Sequence, residues 1–221
     1  MNNFSNKKED FDTDYAKRVD LFSKGQRYEN ELDILIQLLS LKKEDKLLDI
    51  GCGSGNAMTY FTEKTGCLTK GIEIRKEYIA LAKNPHDITV SNAESLPFED
   101  NLFNKVVIIH VIGHIEDPIK ALSEAKRVIK SNGKLGIITP NKYFIFAMKP
   151  LNWLGIIKHK PDVTRLRLYS CRGIERDLLK SGWKNIKSIT FGELPKLLKP
   201  FEGFRLMDIF RERVIVTAEK N

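Results

Sequence analysis

The chain has 221 residues, 42% hydrophobic and 30% charged, with 37 Lys plus Arg against 29 Asp plus Glu and a net charge of +8. This excludes disorder throughout the chain and predicts one domain with a sizeable core. Its three cysteines, Cys52, Cys67 and Cys171, form no C-x-x-C pair, which excludes a disulfide scaffold and a zinc cage and suits a reducing, cytoplasmic compartment.

No uncharged apolar run reaches the roughly 18 residues of a membrane span. Met1 to Tyr15 mixes Lys7 and Lys8 with Glu9, Asp10, Asp12 and Asp14 and lacks the apolar region of a secretory signal. Residues 1–30 read as a polar leader, partly mobile, before a domain over residues 31–221. A helix is expected from Glu31 to Leu41, where Leu32, Leu35, Leu38 and Leu39 share a face. Strands follow at Lys46 to Ile50, Leu68 to Ile74 and Ile88 to Val90, with helices at Asn56 to Thr65 and Lys76 to Lys83 between them. Asn92 to Asn104 reads as loop. Lys105 to Ile109 is a fourth strand, apolar as one covered on both faces should be. Pro118 opens a helix to Lys130, and Gly133 turns the chain into a fifth strand, Lys134 to Thr139. This alternation predicts a doubly wound parallel sheet. Lys142 to Tyr169 has no clean period. A helix from Ser170 to Lys180 and strands Trp183 to Phe191 and Arg213 to Ala218 complete the chain, with an excursion holding Pro195, Pro200 and Gly203 between the two strands.

The strongest chemical signal is Asp49-Ile50-Gly51-Cys52-Gly53-Ser54-Gly55, where the first strand meets its helix. That join faces the ligand crevice of such a sheet. A nicotinamide loop would place a third glycine at position 56, which is Asn. The spacing is instead G-x-G-x-G with an acid two residues ahead. It suits a ligand with a free amino group better than a dinucleotide pyrophosphate. The chain also lacks a P-loop. Glu73 ends the second strand, where a carboxylate can accept from ribose hydroxyls. Asn92-Ala93-Glu94 follows the third strand, where a side-chain oxygen can accept from an adenine amino group.

These motifs, with Ala93-Glu94-x-Leu96-Pro97-Phe98 and Gly133-Lys134-Leu135…Thr139-Pro140-Asn141, resemble the class I S-adenosylmethionine-dependent methyltransferases, in their small-molecule, type 11-like branch. The resemblance covers about Glu31 to Asn141 and, more faintly, Thr164 to Lys220. It implies an α/β, Rossmann-like, doubly wound seven-stranded sheet whose last strand is antiparallel, and S-adenosyl-L-methionine as cofactor. Gly51, Cys52, Gly53 and Gly55 would hold its methionine part, Asp49 its amino group, Glu73 its ribose, and Asn92 and Ala93 its adenine. Ile74, Glu94 and His110 are expected to complete that lining. The family usually has Asp at position 92.

Methyl transfer from a sulfonium needs alignment and exclusion of water, and a general base only where the acceptor loses a proton. His110 and His114 lie where the resemblance borders the methyl group, and both are candidate catalytic residues. Some quinone O-methyltransferases carry E-x-x-E-H there. Here the run is His110-x-x-Gly113-His114, both acids are missing, and no metal is expected.

Between Lys142 and Arg176 stand eight basic residues, Lys142, Lys149, Lys158, Lys160, Arg165, Arg167, Arg172 and Arg176, against Asp162 and Glu175. With Tyr143, Phe144, Phe146, Trp153 and Tyr169 they suggest a lid over residues 142–169. Tyr143, Trp153, Arg165 and Arg167 are its candidate substrate-binding residues, with the two arginines, two apart, pointing the same way in extended chain. Three readings compete: a lid for an anionic small-molecule or glycan acceptor, which is favoured; a peripheral membrane contact serving a lipid acceptor; and nucleic-acid binding, which no RNA-binding motif accompanies. A solvated surface and a non-catalytic cofactor-binding module are the bland alternatives. The acceptor and the oligomeric state are not legible.

Overall fold

The computed structural model of the chain describes residues 17, 20–21, 23–154, 165–192 and 211–220. The leader through Tyr15, Lys158, Lys160, Pro161 and Asp162 of the basic segment, and the excursion with Pro195, Pro200 and Gly203 lie outside the described residues. Helices α1 (Gln26–Leu39), α2 (Asn56–Thr65), α3 (Lys76–Ile79), α4 (Pro118–Val128), α5 (Lys142–Trp153) and α6 (Cys171–Lys180) surround strands β1 (Lys46–Ile50), β2 (Leu68–Glu73), β3 (Ile88–Val90), β4 (Phe103–Ile109), β5 (Ile129–Pro140), β6 (Lys184–Phe191) and β7 (Arg213–Glu219). The seven strands form one sheet in the order β3-β2-β1-β4-β5-β7-β6. Strands β1 to β5 pair in parallel. β7 runs antiparallel to both β5 and β6.

The two-residue period of each strand divides the core between the faces of the sheet. Leu48, Val106, Ile108, Leu135 and Ile137 pack with Ala121, Leu122 and Ala125 of α4 and Ile174 and Leu178 of α6. Leu47, Val107, Ile109 and Ile138 pack with Leu32, Leu35 and Leu39 of α1 and Ala57 and Phe61 of α2. α1 lies so close that a Cβ on Gly136 would stand 2.8 Å from Leu35 Cδ2. Trp183 is fully buried and its indole N–H donates to Leu122 O at 3.0 Å.

Four expectations are corrected. The first helix begins at Gln26, inside the stretch read as leader. α3 stops at Ile79, because Tyr78 is its one buried residue and Pro85 lies close behind. β5 begins at Ile129: the register shift near Phe103 and the left-handed Asn132 (φ 63°) make residues 129–133 an irregular part of the strand. Lys142 to Trp153 is a helix with Pro150 inside it. Its described side chains are all half-buried or exposed, so they offer no buried stripe to read as a period. Ser170 caps α6, its hydroxyl accepting from the Gly173 N–H at 3.3 Å.

Candidate active site

β2 lies on one side of β1 and β4 on the other. The carboxyl end of β1 is therefore the topological switch point, where an open α/β sheet opens a crevice. The glycine loop occupies it. Gly51 and Cys52 donate their N–H groups to Ile72 O at 2.8 and 3.0 Å, which seats the loop on β2. Gly51, Gly53 and Gly55 have φ of 76°, 56° and 77°, the left-handed region in which glycine alone is unstrained. At Gly51 a side chain is also excluded by space, since a Cβ there would lie 2.6 Å from both methyl groups of Val111. Gly55 sits at the N-cap of α2 and gives it no side-chain cap.

Asp49 ends up 2% exposed, and its Oδ1 has no hydrogen-bond partner among the described residues. Burial, and then the charge of Glu73, push its carboxyl up to about 7. Such a carboxylate fits a ligand that brings an ammonium group. Glu73 is also buried. Its Oε2 accepts from the Gly53 N–H at 3.0 Å, and its Oε1 accepts from the N–H groups of Ile74 and Arg75 at 2.9 and 3.0 Å. The expected ribose carboxylate is thus held in place by backbone from both sides. The Ile74 side chain is 61% exposed. Asn92 Oδ1 accepts from the Glu94 N–H at 2.9 Å, closing a small turn after β3, and Glu94 Oε1 accepts from the Asp117 N–H at 3.0 Å. Burial, with Asp49 and Glu73 adding to it, raises the Cys52 thiol far above its usual range, which favours the neutral thiol over the nucleophilic thiolate.

His110 follows β4 directly, with φ of 60°. Its Nε2 lies 2.7 Å from Glu31 Oε2, and Glu31 Oε1 accepts from Arg213 Nε at 2.8 Å. Burial lowers the His110 imidazole; the Glu31 carboxylate opposes this, and Arg213 and Arg165 add to it. Burial raises Glu31, but the hydrogen bonds and charges of His110 and Arg213 outweigh it, so Glu31 titrates below its ordinary value. The Tyr28 ring lies 6.2 Å from His110. His114 closes the short turn Ile112–His114, its N–H donating to Val111 O at 2.7 Å.

The basic segment reaches this edge in part. The N–H groups of Leu166 and Arg167 both donate to Gly113 O, at 2.8 and 3.0 Å. A Cβ on Gly113 would lie 3.0 Å from Arg165 Cγ. Arg167 Nη1 donates to Ile115 O at 2.8 Å. Both arginines thus pack on the turn over residues 113–115, Arg165 through its side chain against Gly113 and Arg167 through its guanidinium on Ile115 O. A cavity of about 760 Å³ opens beyond, rimmed by Lys142, Arg167, Arg172, Arg176 and Lys180, with Glu116, Asp117 and Asp177. Two of those acids are engaged. Asp177 accepts from Tyr169 and Arg176, and Asp117 caps α4 by accepting from the Lys120 N–H. Tyr143 is 50% and Trp153 86% exposed. Neither contributes to the rim of that cavity.

Sequence reasoning missed Glu31, Arg213, Tyr28 and Asp20. Asp20 Oδ1 accepts from the Ser54 hydroxyl and from Asn56 Nδ2, joining the segment before α1 to the glycine loop. Glu31 had a signal: it stands four residues before Leu35, on the buried stripe of α1.

Residues 48–137 match a family described as a methyltransferase domain. An uncharacterized protein of Methanocaldococcus jannaschii is 33% identical over 179 residues, 77% of this chain and 82% of that protein. A SAM-dependent methyltransferase structure from Archaeoglobus fulgidus superposes with a TM-score of 0.70 at 19% identity, covering 91% of this chain and 99% of the other. A phosphoethanolamine N-methyltransferase of Haemonchus contortus, solved with phosphomonomethylethanolamine and S-adenosylhomocysteine, superposes at 0.63 with 18% identity, covering 89% of this chain and 53% of that one.

Proposed function

The chain belongs to the class I S-adenosylmethionine-dependent methyltransferases of the type 11 branch, and from that premise we propose that it moves the methyl group of S-adenosyl-L-methionine to an anionic small-molecule or glycan acceptor. The observation that carries the reading is Asp49: a buried carboxylate oxygen without a partner at the switch point fits the cofactor's ammonium group. When bound, the cofactor supplies a methyl group already activated by a sulfonium sulfur. The chain's own residues do the rest. Asp49 holds the amino group, and the loop of Gly51, Cys52, Gly53 and Gly55 brings backbone close to the methionine part. Glu73 keeps acceptor lone pairs for the ribose hydroxyls. Ile74, Asn92, Ala93 and Glu94 line the adenine end, and His110 and His114 border the acceptor.

The anionic class of acceptor is supported by the cavity rimmed by Lys142, Arg167, Arg172, Arg176 and Lys180. Arg167 lines it while its neighbour Arg165 packs on the Gly113 turn beside His110. The Haemonchus contortus protein of the same fold, of which this chain covers 53%, was solved in complex with a phosphate-bearing molecule, phosphomonomethylethanolamine. A lipid acceptor at a membrane surface is the second reading. It is favoured by the exposed Tyr143, Phe146 and Trp153 of α5 beside Lys142 and Lys149. No described helix is long and apolar enough to cross a membrane. The three free thiols suit a cytoplasmic setting.

Thermal shift with S-adenosylmethionine, S-adenosylhomocysteine, NAD and ATP tests the cofactor. At about 100 times its Kd a ligand stabilises the fold by roughly 2.7 kcal/mol, and the first two should do so alone. Stabilisation by NAD and not by the sulfonium overturns the reading. Metabolite, glycan and RNA pools incubated with methyl-labelled cofactor then identify the acceptor. Cofactor binding with no labelled product from any pool would favour a non-catalytic module.

A further inference from the structure

The ring of His110 is held from behind by a buried ion pair that no cofactor-binding role requires. Glu31, 1% exposed, comes from α1 and Arg213 from β7. Each Glu31 oxygen has one donor: Arg213 Nε at 2.8 Å and His110 Nε2 at 2.7 Å. An ionised carboxylate only accepts, so the hydrogen of a neutral His110 ring must sit on Nε2. Nδ1 then carries the lone pair. Among the described residues Nδ1 makes no hydrogen bond, and about a quarter of the side chain (26%) is open to solvent. The backbone supports the same aim: His110 is one of few non-glycine residues at positive φ, and its N–H is pinned to Ile138 O at 2.7 Å. Backbone of this kind is costly for a residue other than glycine and persists only where the surrounding structure holds it.

We propose that Glu31 and Arg213 are positioning residues that hold His110 Nδ1 as a proton acceptor at the crevice, and that the methyl acceptor is accordingly a hydroxyl or amine that still carries a removable proton. This rests on the methyltransferase reading. In the step, a lone pair on the acceptor oxygen or nitrogen forms the bond to the methyl carbon, and the methyl–sulfur bond breaks with its electron pair left on sulfur. The acceptor's proton passes to Nδ1. The resulting imidazolium keeps its Nε2–H on the Glu31 carboxylate, which offsets the new charge. A thioether, a tertiary amine or a pyridine nitrogen has no proton to give and would make the relay useless.

The groups facing His110 are Glu31 and Tyr28 on α1, Arg213 on β7 and Arg165 on the turn beside it. The test uses the full chain with ring-¹⁵N histidine and bound S-adenosylhomocysteine. His110 should show the Nε2–H tautomer. Glu31→Gln should make His110 at least tenfold less basic, with affinity for S-adenosylhomocysteine within twofold of wild type. The double change Glu31→Gln with Arg213→Gln removes both charges together and serves if the single variant does not fold. An Nδ1–H tautomer, or a pKa unmoved in both variants, overturns the relay. On the acceptor found by the labelled-cofactor pools, wild-type kcat should rise with pH through the His110 pKa measured by NMR. The variant should lower kcat and shift that inflection, with KM within twofold. A product methylated only on a thioether sulfur or on a protonless nitrogen overturns the inference while leaving the methyltransferase reading standing. Failure of the wild type to bind S-adenosylhomocysteine defeats that reading instead, and the tautomer measurement on the free protein still decides the relay.

Discussion

The backbone N–H of Gly53 donates to Glu73 Oε2 at 3.0 Å, so the end of β2 and the glycine loop after β1 are one hydrogen-bonded unit. Because Glu73 Oε1 also holds the amides of Ile74 and Arg75, its removal strips acceptors from three backbone donors. Glu73→Ala should therefore lower stability as well as affinity, by about 1–3 kcal/mol for each amide left dry. Glu73→Gln keeps one acceptor oxygen. It should unfold closer to wild type while binding S-adenosylhomocysteine at least tenfold more weakly. Melting curves and calorimetric titrations of the two variants separate the effects, and equal affinity for Gln and Glu would remove Glu73 from the ribose.

Asp49 makes cofactor binding pH-dependent. The folded chain keeps a proton on Asp49 up to about pH 7, whereas an unfolded chain releases it near pH 4. The stabilising contribution is thus complete below about pH 4 and is lost as pH rises to 7, a change on the order of 4 kcal/mol. An ammonium group arriving beside Asp49 reverses the preference and drives the proton off. Binding should release a proton below pH 7. Above about pH 8, where a free α-amino group is itself neutral, it should take one up. Affinity peaks between these limits. Calorimetry at pH 6.5 in two buffers of different ionisation enthalpy reads the release directly, and Asp49→Asn should abolish it. No proton release at pH 6.5 would remove Asp49 from the ammonium.

Two glycines of the loop should respond differently to alanine. Gly51→Ala meets both left-handed backbone and Val111 at 2.6 Å, while Gly53→Ala meets left-handed backbone with only Tyr78 Cδ1 at 3.9 Å. Backbone strain alone is worth roughly 1–2 kcal/mol. Gly53→Ala should lose about that much and Gly51→Ala clearly more. Val111→Ala added to Gly51→Ala should recover most of the steric part, since only Val111 Cβ then stays close, at 3.0 Å, and leave the strain. Equal loss from the two single changes, by chemical denaturation, would show that Val111 yields freely.

The parts of the fold legible in the sequence are those whose neighbours are close along the chain or apolar on a fixed period. β1, α2 and β3 fall on their expected residues because an apolar run ends at a glycine or a polar turn. α5 was illegible because none of its described side chains is buried. At the site, the glycine loop, Asp49 and Glu73 were readable because their spacing along the sequence is the motif. Glu31's place on the buried stripe of α1 was readable, but its partners were not, because His110 and Arg213 lie 79 and 182 residues away. Nor was Asp20, whose partner Ser54 lies 34 residues on.

The acceptor's charge should be read by the cavity beyond the Gly113 turn. Lys142 and Arg172 are exposed on its rim, one opening α5 and the other in the first turn of α6. Arg167 is a poorer probe, since its Nη1 supports Ile115 O and its loss would disturb the turn as well. A charge-assisted hydrogen bond contributes about 1.5–3 kcal/mol, so removing one cation that touches an anionic acceptor should raise its KM roughly tenfold or more. Lys142→Ala and Arg172→Ala should leave S-adenosylhomocysteine affinity within twofold, because neither lies in the glycine loop or beside Asp49. Steady-state kinetics on the acceptor recovered from labelled pools provide the comparison, with an uncharged analogue as control. The analogue should be a poor substrate for wild type and should lose nothing further in the variants. If both variants keep the wild-type KM for the charged acceptor, the rim is a solvated surface, and the exposed aromatics of α5 become the better guide to the substrate.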